Sequence, residues 1–108
     1  MPVAGALAGE ADVVKVGVKQ IGERTYRFDV TVAHADTGWD HYADKWDVVA
    51  PDNTILGTRI LHHPHVNEQP FTRSLSGVKI QAGIDHVVIR AHDSVHKYGG
   101  QSVRVELP

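Results

Sequence analysis

The stretch that decides the fold is TYRFDVTVAH, residues 25–34. Every second position from 26 to 32 carries a large apolar side chain: Tyr26, Phe28, Val30 and Val32. Because successive side chains of a β-strand point to opposite faces, this period of two indicates a strand with one buried face. The sequence therefore predicts a β-strand here that lies over an apolar core.

The same alternation recurs in six further short stretches, which are separated by turn-forming residues. Pro51–Thr54, for example, combines residues that favour a tight turn between two strands. Short strands at regular spacing are typical of a β-sandwich, so we predict an all-β fold, a seven-stranded antiparallel sandwich. The predicted strands are residues 11–19, 25–34, 42–50, 55–62, 70–75, 86–92 and 102–107.

The stretch from Trp39 to Ala50, which contains the third predicted strand, is compatible with two structures. Its apolar residues fit helical spacing as well as alternation. We favour a loop through His41 followed by a strand, because the turn that begins at Pro51 suits a hairpin. A helical turn near Asp40–Asp44 is the alternative.

The composition is that of a globular protein. The chain has 108 residues, 42% hydrophobic residues, 22% charged residues and a net charge of −2. The absence of a basic run disfavours nucleic-acid binding, and no apolar run approaches the roughly 20 residues of a membrane-spanning helix. Without cysteine, disulfides and thiolate metal sites are excluded. We expect residues 1–10 to form a flexible N-terminal segment and residues 11–108 a single, monomeric domain.

Two features resemble known proteins. The strand number and the tryptophan in the third strand, Trp46, resemble the immunoglobulin-like and fibronectin type III sandwiches. The stretches TGWDHYAD (37–44), HHPH (62–65) and EQPFTRSL (68–75) resemble an uncharacterised family of small bacterial proteins, whose members often carry an export leader. This resemblance implies a periplasmic or extracellular setting, with a cytoplasmic one still open, and it implies no activity.

Histidine is the unusual component of the sequence, with eight copies. In an antiparallel sandwich, successive connections alternate between the two poles, so the loops after the second, fourth and sixth strands should meet. These loops, together with the strand ends that lead into them, carry all the histidines except His86. The candidate metal ligands predicted at this pole are His34, His41, His62, His63, His65, His92 and His96, together with Asp36, Asp40 and Asp93.

Strand parity predicts which of these rings lie together. The apolar residues of the third and sixth strands occupy the inner positions, so His41 and His92 should both face outward. We therefore predict a rim formed by His41, His92 and either His62 or His63.

The residue types at this pole favour particular metals. Neutral imidazoles combined with a carboxylate or water suit Zn²⁺, Cu²⁺ or Ni²⁺. We therefore favour a non-enzymatic binding module whose His/Asp-rich pole binds such a metal. The alternative is a protein-interaction or adaptor domain in which the histidine cluster is purely structural. A small metal-dependent hydrolase, or a Ser-His-Asp hydrolase using Ser94, is a third hypothesis, although the sequence has no nucleophile-elbow motif.

Arg73 is the remaining charged residue of interest. It alternates with Phe71 and Leu75, so its side chain should point inward. Because a guanidinium removed from water needs partners, we predict that Arg73 is buried or half-buried and held by carboxylate or carbonyl oxygens.

Overall fold

The computed structural model describes residues 9–108. The N-terminal segment predicted for residues 1–10 therefore lies outside the described residues, except for Gly9 and Glu10. Seven strands are present in residues 9–108, at positions close to the predicted ones. They are β1 (Asp12–Gly22), β2 (Thr25–Ala33), β3 (Ala43–Val49), β4 (Ile55–Ile60), β5 (Phe71–Lys79), β6 (His86–Asp93) and β7 (Val103–Glu106).

The strands form two antiparallel sheets, in the orders β1-β2-β5 and β4-β3-β6-β7. Because neighbouring strands run in opposite directions, the loops that follow β2, β4 and β6 meet at one end of the molecule. We call this end, formed by loops 34–42, 61–70 and 94–102, the histidine pole. Within residues 9–108, no helix is long and apolar enough to cross a membrane.

The core lies between the two sheets and is apolar. The inward positions predicted for β2 are all buried, from Tyr26 to Val32, and they pack with Trp46 and Ile89 of the other sheet. Burial of one large apolar side chain contributes roughly 1.5–3 kcal/mol, so these residues provide much of the stability.

A register shift in β1 overturns one predicted face. Alternation predicts that Val14, Val16 and Val18 share one face, but the pairing with β2 skips a residue between Val13 and Lys15. Val13 is consequently buried and Val14 is exposed, whereas Val16 and Val18 still pack against the core. An extra residue in a strand reverses the direction of the side chains beyond it.

β5 continues to Lys79, so the predicted end of this strand at Leu75 is wrong. Gly77 has a φ of 74°, and it lies opposite the register shift between Tyr26 and Phe28 of β2. Glycine adopts this left-handed conformation without a steric penalty. The chain therefore passes through a bulge and continues as a strand, where the sequence predicts a connection.

The segment between β2 and β3 is a loop, as favoured from the sequence, and β3 begins at Ala43. Gly38 and His41 pair in an isolated bridge, which narrows the loop. A register shift between Ala43 and Lys45 then changes the direction of the side chains, so that Ala43 is buried in place of Tyr42. The predicted outward direction of His41 is therefore wrong.

Arg73 is half-buried, as predicted. Its side chain is 27% exposed, and its Nη2 lies 3.0 Å from Oε1 of Glu68. Its Nη1 donates a hydrogen bond of 2.8 Å to the carbonyl oxygen of Thr72. Because the side chain of Glu68 is 56% exposed, water screens this ion pair.

Replacement of Arg73 by methionine should lower the free energy of unfolding by no more than about 1 kcal/mol, since screened ion pairs contribute about 0–1 kcal/mol. Chemical denaturation at neutral pH measures this change. Glu68→Gln removes the same ion pair and should have a similar effect. A loss of several kcal/mol in Arg73→Met alone would contradict the expectation. It would indicate that the contribution of Arg73 to stability comes mainly from its contact with Phe71, whose ring centroid lies 5.6 Å from the guanidinium carbon.

Candidate metal centre

Two polar side chains extend the inward faces of β2 and β6. His34 follows Val32 at the inward spacing of β2, and Asp93 follows Ala91 at the inward spacing of β6. Since β2 and β6 belong to opposite sheets, these side chains meet at the top of the core. His34 Nε2 lies 3.0 Å from Asp93 Oδ2, and both side chains are fully buried.

His41 contributes a third donor from the β2–β3 loop. Its Nε2 lies 3.3 Å from Nε2 of His34 and 3.1 Å from Oδ2 of Asp93. The side chain is 21% exposed, so it closes the group towards solvent. We call His34, His41 and Asp93 the histidine–aspartate centre, and this group could hold a metal ion.

The spacing of the three donor atoms matches a metal site. The sides of the triangle measure 3.0, 3.1 and 3.3 Å. In a tetrahedral site with zinc–ligand bonds of about 2.0–2.1 Å, neighbouring donor atoms lie roughly 3.3 Å apart. The centre could therefore accommodate a small divalent cation.

The environment of His41 Nε2 is crowded with polar atoms. Besides His34 and Asp93, it has Nδ1 of His96 at 3.2 Å and the carbonyl oxygen of Gly9 at 3.1 Å. A neutral imidazole nitrogen carries either one hydrogen or one lone pair, so it cannot serve four such neighbours at once. A cation placed among these atoms would interact favourably with several lone pairs together.

His96 lies at the solvent side of the centre. Its Nδ1 is 3.2 Å from Asp93 Oδ2, the same distance as from His41 Nε2. Its side chain is 41% exposed, and it belongs to the loop that follows β6. His96 therefore borders the centre on its most accessible side.

Asp36 orients His34 through Nδ1, the ring nitrogen that does not face the centre. Its Oδ1 accepts a hydrogen bond from His34 Nδ1, and its side chain is fully buried. The same carboxylate accepts the backbone N–H groups of Ala43, at 3.1 Å, and His65, at 2.7 Å. A carboxylate on the far nitrogen of a histidine is the usual outer partner of a metal ligand, because it directs the other nitrogen to the metal.

The carboxylate of Asp93 remains ionised to low pH. Burial alone would raise its pKa, but hydrogen bonds from the backbone N–H groups of His96 and Val95 and from His41 lower the pKa to about 2. The charge that a cation needs is therefore present over the whole physiological range.

The pKa of His34 is shifted in the opposite direction, upwards. Burial lowers its pKa, but the hydrogen bond and the negative charge of Asp36, together with the charge of Asp93, outweigh burial and raise the pKa above 6.5. A bound metal would have to displace the proton from Nε2, so protons and metal compete for this ring.

His92 lies on the opposite side of β6 from Asp93. Its Nδ1 is 2.6 Å from Asp44 Oδ1, and its ring packs edge-on against Tyr98 with centroids 4.7 Å apart. The predicted rim of His41, His92 and either His62 or His63 is therefore not the arrangement found in residues 9–108. Of the other predicted ligands, Asp40, His62 and His63 are exposed.

His65 is also buried, and it lies flat on Phe71, with ring centroids 4.0 Å apart. Burial and the positive charge of Arg73 lower the pKa of His65. Its ring is therefore neutral at physiological pH.

The hydrolase hypothesis gains no support from the position of Ser94. Its Oγ accepts a 3.1 Å hydrogen bond from the backbone N–H of Tyr42. In the part of the chain that the structure describes, no hydrogen bond joins this hydroxyl to His92 or His96. A serine nucleophile requires such contact with a general base.

A comparison with known proteins finds a relative in an archaeon. A protein of Halomicrobium mukohataei described as a "Putative lipoprotein" is 43% identical over 97 residues. The match covers 90% of this chain but 47% of the relative, so the chain spans about half of the relative's length. No family model matches the sequence, and no solved structure matches it. The relative is archaeal, whereas the resemblance noted from the sequence concerns bacterial proteins.

Proposed function

We propose that this chain is a non-enzymatic binding domain for a divalent transition metal, held at the histidine–aspartate centre. The ligands are Nε2 of His34, Nε2 of His41 and Oδ2 of Asp93, with His96 or water in a fourth position. The observation that carries the proposal is the triangle of donor atoms, with sides of 3.0–3.3 Å.

The donor set supports Zn²⁺, Cu²⁺ or Ni²⁺. Imidazole nitrogens suit these metals, whereas Ca²⁺ and Mg²⁺ prefer oxygen donors throughout. The buried carboxylate of Asp93 neutralises one positive charge, and that of Asp36 lies behind His34 and offsets the second. A divalent cation is thus well matched to the charge of the pocket.

The proposal extends to the type of β-sandwich and to the cellular location, and one observation supports each. The sheet orders β1-β2-β5 and β4-β3-β6-β7 favour an immunoglobulin-like or fibronectin type III-like sandwich, which presents ligand-binding loops at one pole. The description of the archaeal relative as a lipoprotein favours a location on the outer side of the cell envelope. There the domain would meet metal ions before they enter the cell.

Zinc titration against a chromophoric chelator tests the metal site, using protein that is metal-free and has no histidine tag. We expect one tightly bound equivalent in the unmodified protein and its loss in His41→Ala and in Asp93→Asn. His92→Ala is the matched control, because it removes an imidazole from the same pole without touching the centre, and it should retain the tight equivalent. Unchanged affinity in His41→Ala would contradict the proposal.

A protein-interaction function is the second candidate. Each loop of the histidine pole exposes a large apolar side chain: Trp39, Val66 and Val95. Exposed apolar residues that lie around a polar site are a common feature of interaction surfaces. If the zinc titration finds no tight equivalent, this hypothesis takes precedence, and the histidine cluster is then structural.

A further inference from the structure

A second cluster of polar side chains lies outside the histidine–aspartate centre, on the outer face of the sheet β4-β3-β6-β7. At its middle is Asp47, which lies in β3 between Trp46 and Val48. These two neighbours belong to the core, so the side chain of Asp47 points to the other face of the strand. Asp47 is nevertheless buried. Because a charge removed from water needs partners, other groups on this face must cover and pair with the carboxylate.

Three donors from three elements surround the carboxylate of Asp47. The hydroxyl of Thr58 on β4 donates a hydrogen bond of 2.7 Å to Oδ1, and the hydroxyl of Tyr98 donates one of 2.7 Å to Oδ2. Nε of Arg90, the residue opposite Asp47 in β6, lies 3.4 Å from Oδ2. The carboxylate thus holds Arg90 through Nε. Within residues 9–108, the terminal nitrogens Nη1 and Nη2 of Arg90 have no hydrogen-bond partner.

Tyr98 holds the guanidinium of Arg90 from a second direction. The guanidinium carbon lies over the Tyr98 ring, 4.1 Å from its centroid. An aromatic face attracts a guanidinium and leaves its in-plane N–H groups available to other partners. The side chain of Arg90 is 30% exposed, so a ligand can reach it. Asp47 and Tyr98 therefore preorganise Arg90 for a ligand that binds the terminal nitrogens.

Arg90 lines a depression of about 330 Å³ in this face. Apolar side chains, among them Val49, Pro51 and Val88, form much of the remaining lining, and both the size and the lining are those of a site for a small molecule. No acidic residue of the described chain lines the depression. Asp47 offsets part of the charge of Arg90, but it lies outside the lining, and two hydroxyl groups share its oxygens. The depression therefore fits a small ligand with an apolar body and a negative charge.

We propose that this depression binds a small organic carboxylate. The two carboxylate oxygens accept hydrogen bonds from Nη1 and Nη2 of Arg90, and the apolar part of the ligand packs against Val49 and Val88. A carboxylate is favoured over phosphate, because its planar pair of oxygens and its single charge match one guanidinium. The site contains none of the ligands of the histidine–aspartate centre, so it does not depend on the proposed function.

Titration with benzoate, followed by NMR of the arginine Nε–H and backbone amide signals, tests the site. We expect saturable shifts centred on Val88 and Arg90 in the unmodified protein. Benzamide has the same ring without the charge, and it should bind roughly tenfold more weakly, because hydrogen bonds to a charged partner are stronger than those between neutral groups. Equal affinities for benzoate and benzamide would overturn the inference.

Two variants remove the site in different ways. Arg90→Gln removes the positive charge and should weaken benzoate binding by roughly tenfold or more. Ser102→Trp introduces a large side chain at an exposed residue of the lining, so it should occlude the depression and abolish the saturable shifts. Because Ser102→Trp leaves Arg90, Asp47 and Tyr98 unchanged, it tests the site even if Arg90→Gln disturbs folding.

Arg104→Gln is the matched control. Arg104 is an exposed arginine of β7 that pairs with Glu106, at 2.6 Å, and it does not line the depression. This variant should retain the benzoate affinity of the unmodified protein. The absence of a saturable shift in the unmodified protein would overturn the inference, and so would a benzoate affinity that is unchanged in both Arg90→Gln and Ser102→Trp.

Discussion

Zinc at about 100 times its dissociation constant should raise the free energy of unfolding by roughly 2.7 kcal/mol near pH 7.5. For a domain of this size, the corresponding rise in melting temperature is roughly 10–20 °C. The reason is that zinc binds the folded state. His34, His41 and Asp93 come together only when β2, the following loop and β6 are folded. Scanning fluorimetry or calorimetry of the metal-free protein, with and without zinc, measures the shift.

The stabilisation by zinc should decrease as the pH falls from about 7.5 towards 5, because only neutral imidazole binds metal. The raised pKa of His34 means that protons compete with zinc already above pH 6.5. Without metal, the sign is reversed: the contribution of protonated His34 to stability is fully present below pH 6.5 and is lost as the pH rises through its folded-state pKa. Asp93, with a pKa of about 2, stays ionised over this range.

Variants at three histidines distinguish zinc binding at the histidine–aspartate centre from zinc binding to other histidines of the domain. His41→Ala should abolish the zinc-dependent shift. His92→Ala should retain it, because His92 contacts Asp44 and Tyr98 instead of the centre. His86→Ala, at the opposite pole, should retain it too. Equal losses of the shift in His41→Ala and His92→Ala would refute the assignment of the ligands.

Replacement of Asp36 by alanine should cost about 3–5 kcal/mol of folding free energy in metal-free protein, the usual effect of breaking a buried charged pair. The substitution leaves the buried imidazole of His34 without its nearest carboxylate. It also removes the acceptor of the backbone N–H groups of Ala43 and His65. Urea denaturation in the presence of a chelator measures the change.

The same loop provides the control for this experiment. Asp40→Ala changes an exposed aspartate and should alter the free energy of unfolding by no more than about 0.5 kcal/mol. Asp36→Asn keeps one acceptor oxygen and should lose less than Asp36→Ala. A value for Asp36→Ala close to that of Asp40→Ala would show that the described hydrogen bonds of Asp36 contribute little to folding.

Local alternation was enough to predict the strands, because one face of each strand must be apolar to cover the core. From Tyr26 to Val32 the period of two continues without interruption, and the prediction is confirmed there. The same parity, extended by one step, would have directed His34 inward from β2 and Asp93 inward from β6. Both residues were predicted to lie at the histidine pole, but their inward direction was not predicted.

By itself, then, the sequence determined an all-β chain of seven strands and a pole rich in histidine, since these follow from alternation and from the direction of successive strands. The tertiary structure decided which side chains meet. The register shift near Ala43 and Lys45 and the narrowed loop redirect His41, and such irregularities depend on pairing between strands distant in the chain. The role of Asp36 also depends on tertiary contacts, because its partners come from three separate segments that only packing of the two sheets brings around one buried carboxylate.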